Sequence, residues 1–178
     1  RFVDVPDGAW YISAVDYVLI HNIMSGNTNG TFAPEKALTR AELVTLLWSK
    51  EGKPEAASDV SFNDVADSDW FAAKVKWAAA AGIVSGYTDG SFKPNKQVSR
   101  QELAQMIFAY AKYKNVDVSA SGSLAGFSDS NAAGGWARPA LQWAVGAGIL
   151  SGSNGRLMPA NSAKRCEVAS MFMRFVEN

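Results

Sequence analysis

The sequence predicts a mainly α-helical protein built from three helix–loop–helix repeats. Two observations lead to this fold class. A set of short motifs recurs three times at fixed offsets along the 178 residues, and each copy contains two segments whose apolar residues follow helical spacing. A chain of this length is long enough to bury a core that the repeats share.

The repeated motifs divide the chain into three units of similar length. Each copy begins with a Phe-x-Asp motif: Phe2-Val3-Asp4, Phe62-Asn63-Asp64 and Phe127-Ser128-Asp129. A tryptophan and a Ser-Gly pair follow in each: Trp10 with Ser25-Gly26, Trp70 with Ser85-Gly86, and Trp136 with Ser151-Gly152. These offsets place the repeats at 1–52, 60–114 and 126–178, with linkers at about 53–59 and 115–125.

The first helix of each repeat is predicted around its tryptophan. Trp10 and Tyr17 are seven residues apart, as are the corresponding aromatic residues of the other copies, and seven residues are close to two helical turns. Each aromatic pair is therefore expected on one helix face. The helix is expected to end at a residue suited to the left-handed conformation: Asn22, Gly82 or Gly148.

The second helix of each repeat begins after a loop with a tight-turn signal. Thr39 with Glu42, and Ser99 with Glu102, form capping boxes at the helix start, whereas the third copy has Lys164 in place of the hydroxyl. The helix then carries one apolar stripe, such as Leu43 and Leu47 in the first copy. Two helices cannot bury both stripes alone, so the three repeats are expected to pack together.

Composition excludes several kinds of function. Lys plus Arg and Asp plus Glu each total 17, so the zero net charge gives no general attraction to nucleic acid. Cys166 is the only cysteine and His21 the only histidine, which argues against a disulfide and a cysteine- or histidine-based metal site. No apolar run reaches the roughly 18 residues that span a bilayer. An acidic ligand must therefore be bound by local basic groups.

One arginine per repeat has no role in capping. Arg40, Arg100 and Arg165 begin the second helices, where a cation faces the positive end of the helix dipole. Such a group calls for an acidic partner. Two partners remain open from the residues alone: Asp4, Asp64 or Asp129 of a neighbouring repeat, or a carboxylate on a ligand held by the guanidinium.

These motifs resemble the S-layer-homology family over the whole chain. The resemblance rests on the Phe-x-Asp start, the tryptophan, the Gly82-Ile83-Val84-Ser85-Gly86 stretch, the Gly-x-Phe-x-Pro loop and the Thr39-Arg40-Ala41-Glu42 motif. It implies one pseudo-threefold unit with a central helical bundle and three prongs. It also implies a non-catalytic, monomeric anchor without a cofactor, which is extracellular at the bacterial cell wall or S-layer and neither inserts into the membrane nor binds nucleic acid.

The resemblance also implies grooves between the prongs that bind a secondary cell-wall polysaccharide bearing a pyruvylated amino sugar. The motif arginine then meets the acidic sugar, which assigns Arg40 and Arg100 and, less directly, Arg165. Trp10, Trp70 and Trp136 are candidates for stacking on sugar rings, although a core position is the favoured interpretation. The remaining candidates are the aspartates of the Phe-x-Asp motif, Ser25, Gly26, Ser85, Gly86, Tyr87, Ser151 and Gly152.

Three other interpretations compete with polysaccharide binding. An enzyme that cleaves glycosides needs a unique pair of carboxylates, whereas the acidic residues here recur at equivalent positions. A calcium module could use Asp67 and Asp69, or Asn27 and Asn29, but the bidentate glutamate of a calcium loop is absent at the required spacing. A protein–protein scaffold of helical repeats remains the main alternative function.

Overall fold

The computed structural model describes residues 2–57 and 59–177. Arg1, Ser58 and Asn178, which fall within the predicted first repeat, first linker and third repeat, lie outside the described residues. The six α-helices are α1 (Ile12–Ile20), α2 (Arg40–Lys50), α3 (Ala72–Ala80), α4 (Arg100–Tyr113), α5 (Arg138–Gly146) and α6 (Arg165–Glu177). Two short 3₁₀ helices at 130–132 and 135–137 precede α5, and extended pairing within the described ranges is limited to isolated bridges. The predicted mainly α class is confirmed.

The first helix of each repeat ends in the predicted left-handed residue. Asn22 has a φ of 53°, and Gly82 and Gly148 have φ values of 70° and 71°. The next residue is a buried isoleucine whose amide donates back to the helix, as Ile23 does to the Val18 carbonyl at 2.8 Å. This is the Schellman geometry, which satisfies a carbonyl at the helix end.

The second helices begin at the predicted capping boxes. Thr39 and Ser99 accept from the backbone amides of Glu42 and Glu102, and each glutamate accepts in return from the backbone amide of its capping residue at 2.8 Å. In the third repeat only the glutamate half remains, since the Lys164 amide donates to Glu167 at 2.9 Å.

Each first helix packs against a helix of another repeat. Helix α3 packs on α2, and α5 packs on α4, so the first helix of one repeat covers the second helix of the repeat before it. Helix α1 packs on α6, which closes the same arrangement between the first and third repeats. The apolar stripes are therefore buried between repeats, as the sequence requires of units that cannot cover their own stripes.

A closed ring of three backbone hydrogen bonds lies where the repeats meet. The Leu38 amide donates to the Ala163 carbonyl at 3.2 Å, the Ala163 amide to the Val98 carbonyl at 2.7 Å, and the Val98 amide to the Leu38 carbonyl at 2.9 Å. All three residues are buried. Buried backbone groups require partners, and here each repeat supplies the partner of the next.

The three second helices also meet through Tyr110, which is fully buried on α4. Its ring lies 5.8 Å from that of Phe175 on α6, and its hydroxyl donates to the carboxylate of Glu51 at the end of α2. Lys114 holds the other oxygen of Glu51 at 3.0 Å. These contacts link the C-terminal ends of the three second helices.

The segment predicted as the second linker packs against the third repeat. Leu124 is buried, and the Gly122 amide donates to the Gln142 carbonyl of α5 at 2.7 Å. Gly122 also lies so close to Gly146 that a Cβ on either would fall within 2.7 Å of the other's backbone. The segment therefore belongs to the packed body.

The prediction that the two aromatic residues of each first helix share a face is wrong. Helix α1 begins at Ile12, two residues after Trp10, so the helical repeat does not extend back to the tryptophan. Trp70 is 58% exposed and Trp136 is 57% exposed, whereas Trp77 and Trp143, seven residues further on, are buried.

Candidate functional site

Three grooves lie between the repeats, and every groove takes residues from all three. We name each by its motif arginine. Groove 1, of about 500 Å³, combines Arg40 with residues 82–87, Glu102 and Trp136. Groove 2, of about 430 Å³, combines Arg100 with residues 150–153, Glu167 and Trp10. Groove 3, of about 370 Å³, combines Arg165 with residues 22–25, Glu42 and Trp70.

Each motif arginine reaches into the loop of the following repeat. Arg40 donates from Nε to the Phe92 carbonyl at 2.8 Å and from Nη2 to the Ser85 carbonyl at 3.0 Å. Arg165 makes the same two bonds to Phe32 at 2.8 Å and Ser25 at 2.7 Å, and so connects the third repeat to the first. Because two sides of the guanidinium are bound, its orientation is fixed.

Arg100 repeats this arrangement with a carboxylate as a second partner. Its Nε donates to the Leu157 carbonyl at 2.8 Å, and its Nη1 donates to Glu167. Arg40 and Arg100 are buried, each 6% exposed, while Arg165 is half-buried. Arg165 is therefore the most exposed of the three motif arginines.

Arg40 and Arg100 each have an acidic partner in the glutamate that caps the second helix of the next repeat. Arg40 Nη1 lies 3.9 Å from Glu102 Oε1, and Arg100 contacts Glu167 directly. The salt bridge to Asp4, Asp64 or Asp129, one of the two alternatives that the sequence left open, is therefore not the one that Arg40 and Arg100 form. The sequence assigns the glutamates to capping alone, and only their constant position two residues after the motif arginine of their own repeat could indicate a second role.

The aspartates instead hold the loops of their own repeats. The two carboxylate oxygens of Asp4 accept from the amides of Phe32 and Ala33 at 2.8 and 2.7 Å. Ala33 has a φ of 56°, a left-handed conformation that is unfavourable for alanine by about 1–2 kcal/mol. Asp64 and Asp129 bind the equivalent loops, whose Lys93 and Met158 also have positive φ.

Phe32 is consequently held from both sides. Asp4 binds its amide from within the same repeat, and Arg165 binds its carbonyl from the preceding repeat in the ring. The same two contacts recur at Phe92 and Leu157. The Phe-x-Asp motif and the motif arginine together set the position of each groove wall.

The groove tryptophans are exposed, so the favoured interpretation of a core position is wrong. Trp10 is 66% exposed, and Trp70 and Trp136 are nearly as exposed. Trp10 stands edge-on to Tyr11 with 5.3 Å between ring centroids, and Trp70 stands in the same way to Phe71. Each indole is therefore largely exposed to solvent beside a groove.

The Ser-Gly pairs have divided roles. Ser25, Ser85 and Ser151 are exposed at the groove walls. The glycines allow the Phe-x-Asp phenylalanine to pack against the loop, because a Cβ on Gly26 would lie 2.0 Å from Phe2 and one on Gly86 would lie 2.5 Å from Phe62. Gly152 is constrained similarly by Phe127 and by its φ of 70°.

Tyr87 makes groove 1 chemically distinct, since Asn27 and Ser153 occupy its position in the other repeats. Its hydroxyl donates to Glu102 Oε1 at 3.1 Å, and its ring lies 5.1 Å from the Arg40 guanidinium. Lys96 donates to the same Oε1 at 2.6 Å. Burial opposes ionisation of Glu102, but the hydrogen bonds from Lys96 and from the cap outweigh it and lower the pKa of this carboxyl.

The residues considered for calcium binding have other contacts. Asp67 pairs with Lys76 at 2.7 Å, and Asp69 accepts from the Ala66 amide at 2.8 Å. Across residues 2–57 and 59–177, no group of three or more His, Cys, Asp or Glu is placed to hold a metal ion. Among the helices described here, none has the length and apolar character needed to cross a membrane.

Comparison with known proteins gives a consistent result. The model of the S-layer homology domain family matches residues 1–44, 61–104 and 126–169. The "Surface-layer 125 kDa protein" of Lysinibacillus sphaericus is 31% identical over 93% of this chain and 14% of its own length. The "Cellulosome-anchoring protein" of Acetivibrio thermocellus is 33% identical over 60% of this chain and 25% of its own length. The "S-layer protein sap" of Bacillus anthracis is 27% identical over 97% of this chain, which spans 21% of it.

Proposed function

Because this chain belongs to the S-layer homology domain family, we propose that it binds an acidic secondary cell-wall polysaccharide in its three grooves. Modules of this family anchor surface-layer and cellulosome proteins to the cell wall, and the family places this chain at the cell surface. The chain spans a quarter or less of the relatives described above. We propose that this chain acts as an anchor of the same kind.

One observation supports this proposal above the others. Each groove brings an arginine, an exposed serine and an exposed tryptophan together from three different repeats, and the combination occurs three times. An aromatic face beside polar donors suits a sugar ring, which has apolar faces and hydroxyl edges. Because these tryptophans are exposed, packing in the hydrophobic core does not explain their presence at each groove.

The motif arginine would bind the acidic substituent of the polysaccharide. In groove 1 the Nε and Nη2 atoms of Arg40 are bound to backbone carbonyls, whereas Nη1 lies 3.9 Å from Glu102, which is too long for a hydrogen bond. The Nη1 hydrogens are therefore the donors that a ligand carboxylate would take. A guanidinium already held in place loses little entropy on binding.

A pyruvylated amino sugar is the acidic unit that we propose. The experiment compares binding of native and depyruvylated wall polysaccharide by isothermal titration calorimetry. Charge-assisted hydrogen bonds shielded from water contribute about 2 kcal/mol, so we expect the depyruvylated polymer to bind at least about 30-fold more weakly per site. Equal affinity for the two polymers would contradict the proposal.

A matched pair of variants separates groove binding from folding. Trp136→Ala removes an exposed indole from groove 1, whereas Val116→Ala removes an exposed apolar side chain that lines none of the three grooves. We expect the first change to weaken retention on wall polysaccharide and the second to leave it unchanged. The protein–protein scaffold alternative predicts no effect of depyruvylation on either.

A further inference from the structure

The glutamates that cap the second helices have different partners on their second oxygen. In each repeat Oε2 accepts from the backbone amide of the residue at the cap, at 2.8 to 2.9 Å. In the first two repeats Oε1 accepts from a lysine six residues earlier, whereas in the third repeat Oε1 is bound by a motif arginine. The pairs are Lys36 with Glu42 at 2.8 Å, Lys96 with Glu102 at 2.6 Å, and Arg100 with Glu167.

Asn161 takes the place of this lysine in the third repeat. The backbone shows that the three positions are equivalent, because the carbonyl at each accepts from the amide of the motif arginine of its groove. The bonds are Arg165 to Lys36 at 2.9 Å, Arg40 to Lys96 at 2.9 Å, and Arg100 to Asn161 at 2.8 Å. An asparagine carries no charge, so the third glutamate lacks the ion pair with a lysine that the other two have at this position.

The partner of the glutamate determines which donors the neighbouring arginine has left. In groove 1, where Lys96 binds Glu102, Nη1 of Arg40 stays 3.9 Å from the carboxylate. In groove 2 Glu167 contacts Nη1 of Arg100 directly. The donor that is open to a ligand in groove 1 is therefore occupied in groove 2, and Glu167 compensates the charge of Arg100.

The two lysines lie beside the grooves and not in their walls. Lys96 does not line groove 1, and Lys36 does not line groove 3. Burial raises the pKa of Glu42 and of Glu102, but the hydrogen bonds from the lysine and from the cap outweigh it and lower both pKa values. Each lysine is thus placed to act on the glutamate rather than on a ligand.

From this arrangement we propose that the residue six positions before the capping glutamate controls how strongly a groove binds an acidic sugar. Lys36 and Lys96 are positioning residues that hold the glutamate and leave Nη1 of the arginine to the ligand. Asn161 leaves Arg100 bound to Glu167, so an acidic unit that enters groove 2 must replace this internal contact. Groove 2 then binds the unit more weakly than its buried arginine would otherwise allow. This inference rests on the proposed function, since it assumes that the arginines bind the acidic unit.

Asn161→Lys gives groove 2 the lysine that the other grooves have. The probe is a wall saccharide fragment with one pyruvylated unit, and its depyruvylated form is the comparison. Binding to the full chain is followed by NMR titration of the indole N–H signals of Trp10 in groove 2 and Trp136 in groove 1, which Trp10→Phe and Trp136→Phe assign. We expect Asn161→Lys to raise the affinity of groove 2 for the pyruvylated fragment on the order of tenfold and to leave groove 1 unchanged, because Arg100 regains a charge-assisted hydrogen bond for the ligand.

Two further variants test the position of the charge. Ala160→Lys adds the same charge one residue earlier, at an exposed site that lines none of the three grooves, and should change the affinity of groove 2 by less than about twofold. Lys36→Asn should lower the affinity of groove 3, followed through Trp70, by up to about fivefold, whereas Lys36→Arg should retain it. Groove 3 is the better place for this loss, since in groove 1 Tyr87 also donates to Oε1 of Glu102.

A double-mutant cycle tests whether the lysine acts through the glutamate. Glu167→Gln removes the competing carboxylate and keeps an oxygen for the cap, so it should by itself raise the affinity of groove 2 for the pyruvylated fragment. Asn161→Lys added to Glu167→Gln should then bring little further gain. A further gain as large as in the wild-type background would show that the lysine binds the ligand itself, and would overturn the inference.

The outcomes distinguish this inference from the proposed function. If the wild-type protein binds neither fragment, both are overturned. If it binds the pyruvylated fragment but Asn161→Lys has no more effect than Ala160→Lys, the inference is overturned and polysaccharide binding stands. An equal gain for the depyruvylated fragment would also overturn it, because the bond between Arg100 and the acidic group would not be what the lysine strengthens.

Discussion

Arg40 Nη1 and Glu102 Oε1 face each other at 3.9 Å across the junction of the first two repeats. The other oxygen of Glu102 accepts from the Ser99 amide at 2.8 Å and so caps α4. One glutamate therefore fixes the start of its own helix and contacts the arginine of the preceding repeat. Arg100 and Glu167 repeat the relationship at the next junction, so capping and repeat association are parts of one interaction.

The motif arginines should be needed for stability as well as for binding. Arg40→Ala leaves the carbonyls of Phe92 and Ser85 without a donor and Glu102 without its nearest buried cation. We expect a loss of about 2–4 kcal/mol in the free energy of unfolding, measured by urea denaturation.

Two other arginines calibrate that result. Arg165→Ala is expected to cost only about 1–2 kcal/mol, because Arg165 is half-buried and its two hydrogen bonds are to carbonyls. Arg156→Ala removes a 60%-exposed side chain that lies 3.7 Å from Asp129 and should cost less than about 1 kcal/mol. Equal losses in the free energy of unfolding for Arg40→Ala and Arg156→Ala would show that the contacts of Arg40 across the repeat junction do not stabilise the protein.

The two tryptophans of one repeat should respond in opposite ways to substitution. Trp136→Ala is expected to change the free energy of unfolding by less than about 1 kcal/mol, because the indole is exposed, but to impair groove 1. Trp143→Ala empties a buried site and should cost about 3–5 kcal/mol. Thermal unfolding and polysaccharide retention, measured on both variants, check this prediction. A large loss of stability in Trp136→Ala would contradict this prediction, because it would show that the indole contributes to the packing of the protein.

A single repeat should not fold alone. Residues 1–52 contain α1 and α2, whose helical partners are α6 and α3 of the other repeats. The isolated fragment therefore exposes two apolar stripes and should give the circular dichroism and narrow amide dispersion of an unfolded chain. A cooperative melting transition in the isolated fragment would show that a repeat can bury its own stripes.

Acid should lower the free energy of unfolding, because glutamates that stabilise the folded protein as carboxylates become protonated. The pKa of Glu102 is lowered by the hydrogen bonds described above, and that of Glu51 is lowered by Tyr110 and Lys114 in spite of burial. A carboxyl whose pKa is lower in the folded state stabilises fully above its unfolded pKa of about 4.5. That stabilisation is lost as the pH falls through the folded pKa.

We therefore expect the free energy of unfolding to be level near neutral pH and to fall progressively below about pH 4.5. Glu102→Gln should reduce the acid dependence of the urea midpoint, whereas Glu55→Gln, at an exposed position between repeats, should not. If the wild type and Glu102→Gln lost stability identically in acid, the Glu102 carboxyl would not be a source of the acid dependence.

Groove 3 should contribute least to binding. Lys164 replaces the capping hydroxyl before Arg165, and the Ser162 hydroxyl, which could have substituted for it, donates to Gln97 at 2.7 Å. The Phe32 and Ser25 carbonyls orient Arg165, but its helix start lacks a capping hydroxyl and its guanidinium is only half-buried, so a ligand bond to it is less shielded from water. In calorimetry with one soluble wall saccharide, Arg165→Ala should therefore reduce affinity less than Arg40→Ala or Arg100→Ala. The reverse order would contradict the link between capping and binding.

The sequence predicts local structure well and contacts between repeats less well. The capping boxes and the left-handed Asn22 depend on a few neighbouring residues, so motif spacing identifies them. The pairing of α1 with α6 depends on which repeats meet in space, and spacing does not encode this. The prediction that Trp10 lies on a helix face fails because the spacing of seven residues continues past the point where the helix begins.

The ring that joins Leu38, Val98 and Ala163 has a consequence for how many copies of this unit a gene can usefully carry. Each copy donates one backbone hydrogen bond to one neighbour and accepts one from the other. With three copies, every amide and every carbonyl of the ring therefore has a partner. A fourth copy added by duplication would find no place in it, and two copies would leave one junction unmade. Gene duplication is therefore expected to add such copies in sets of three.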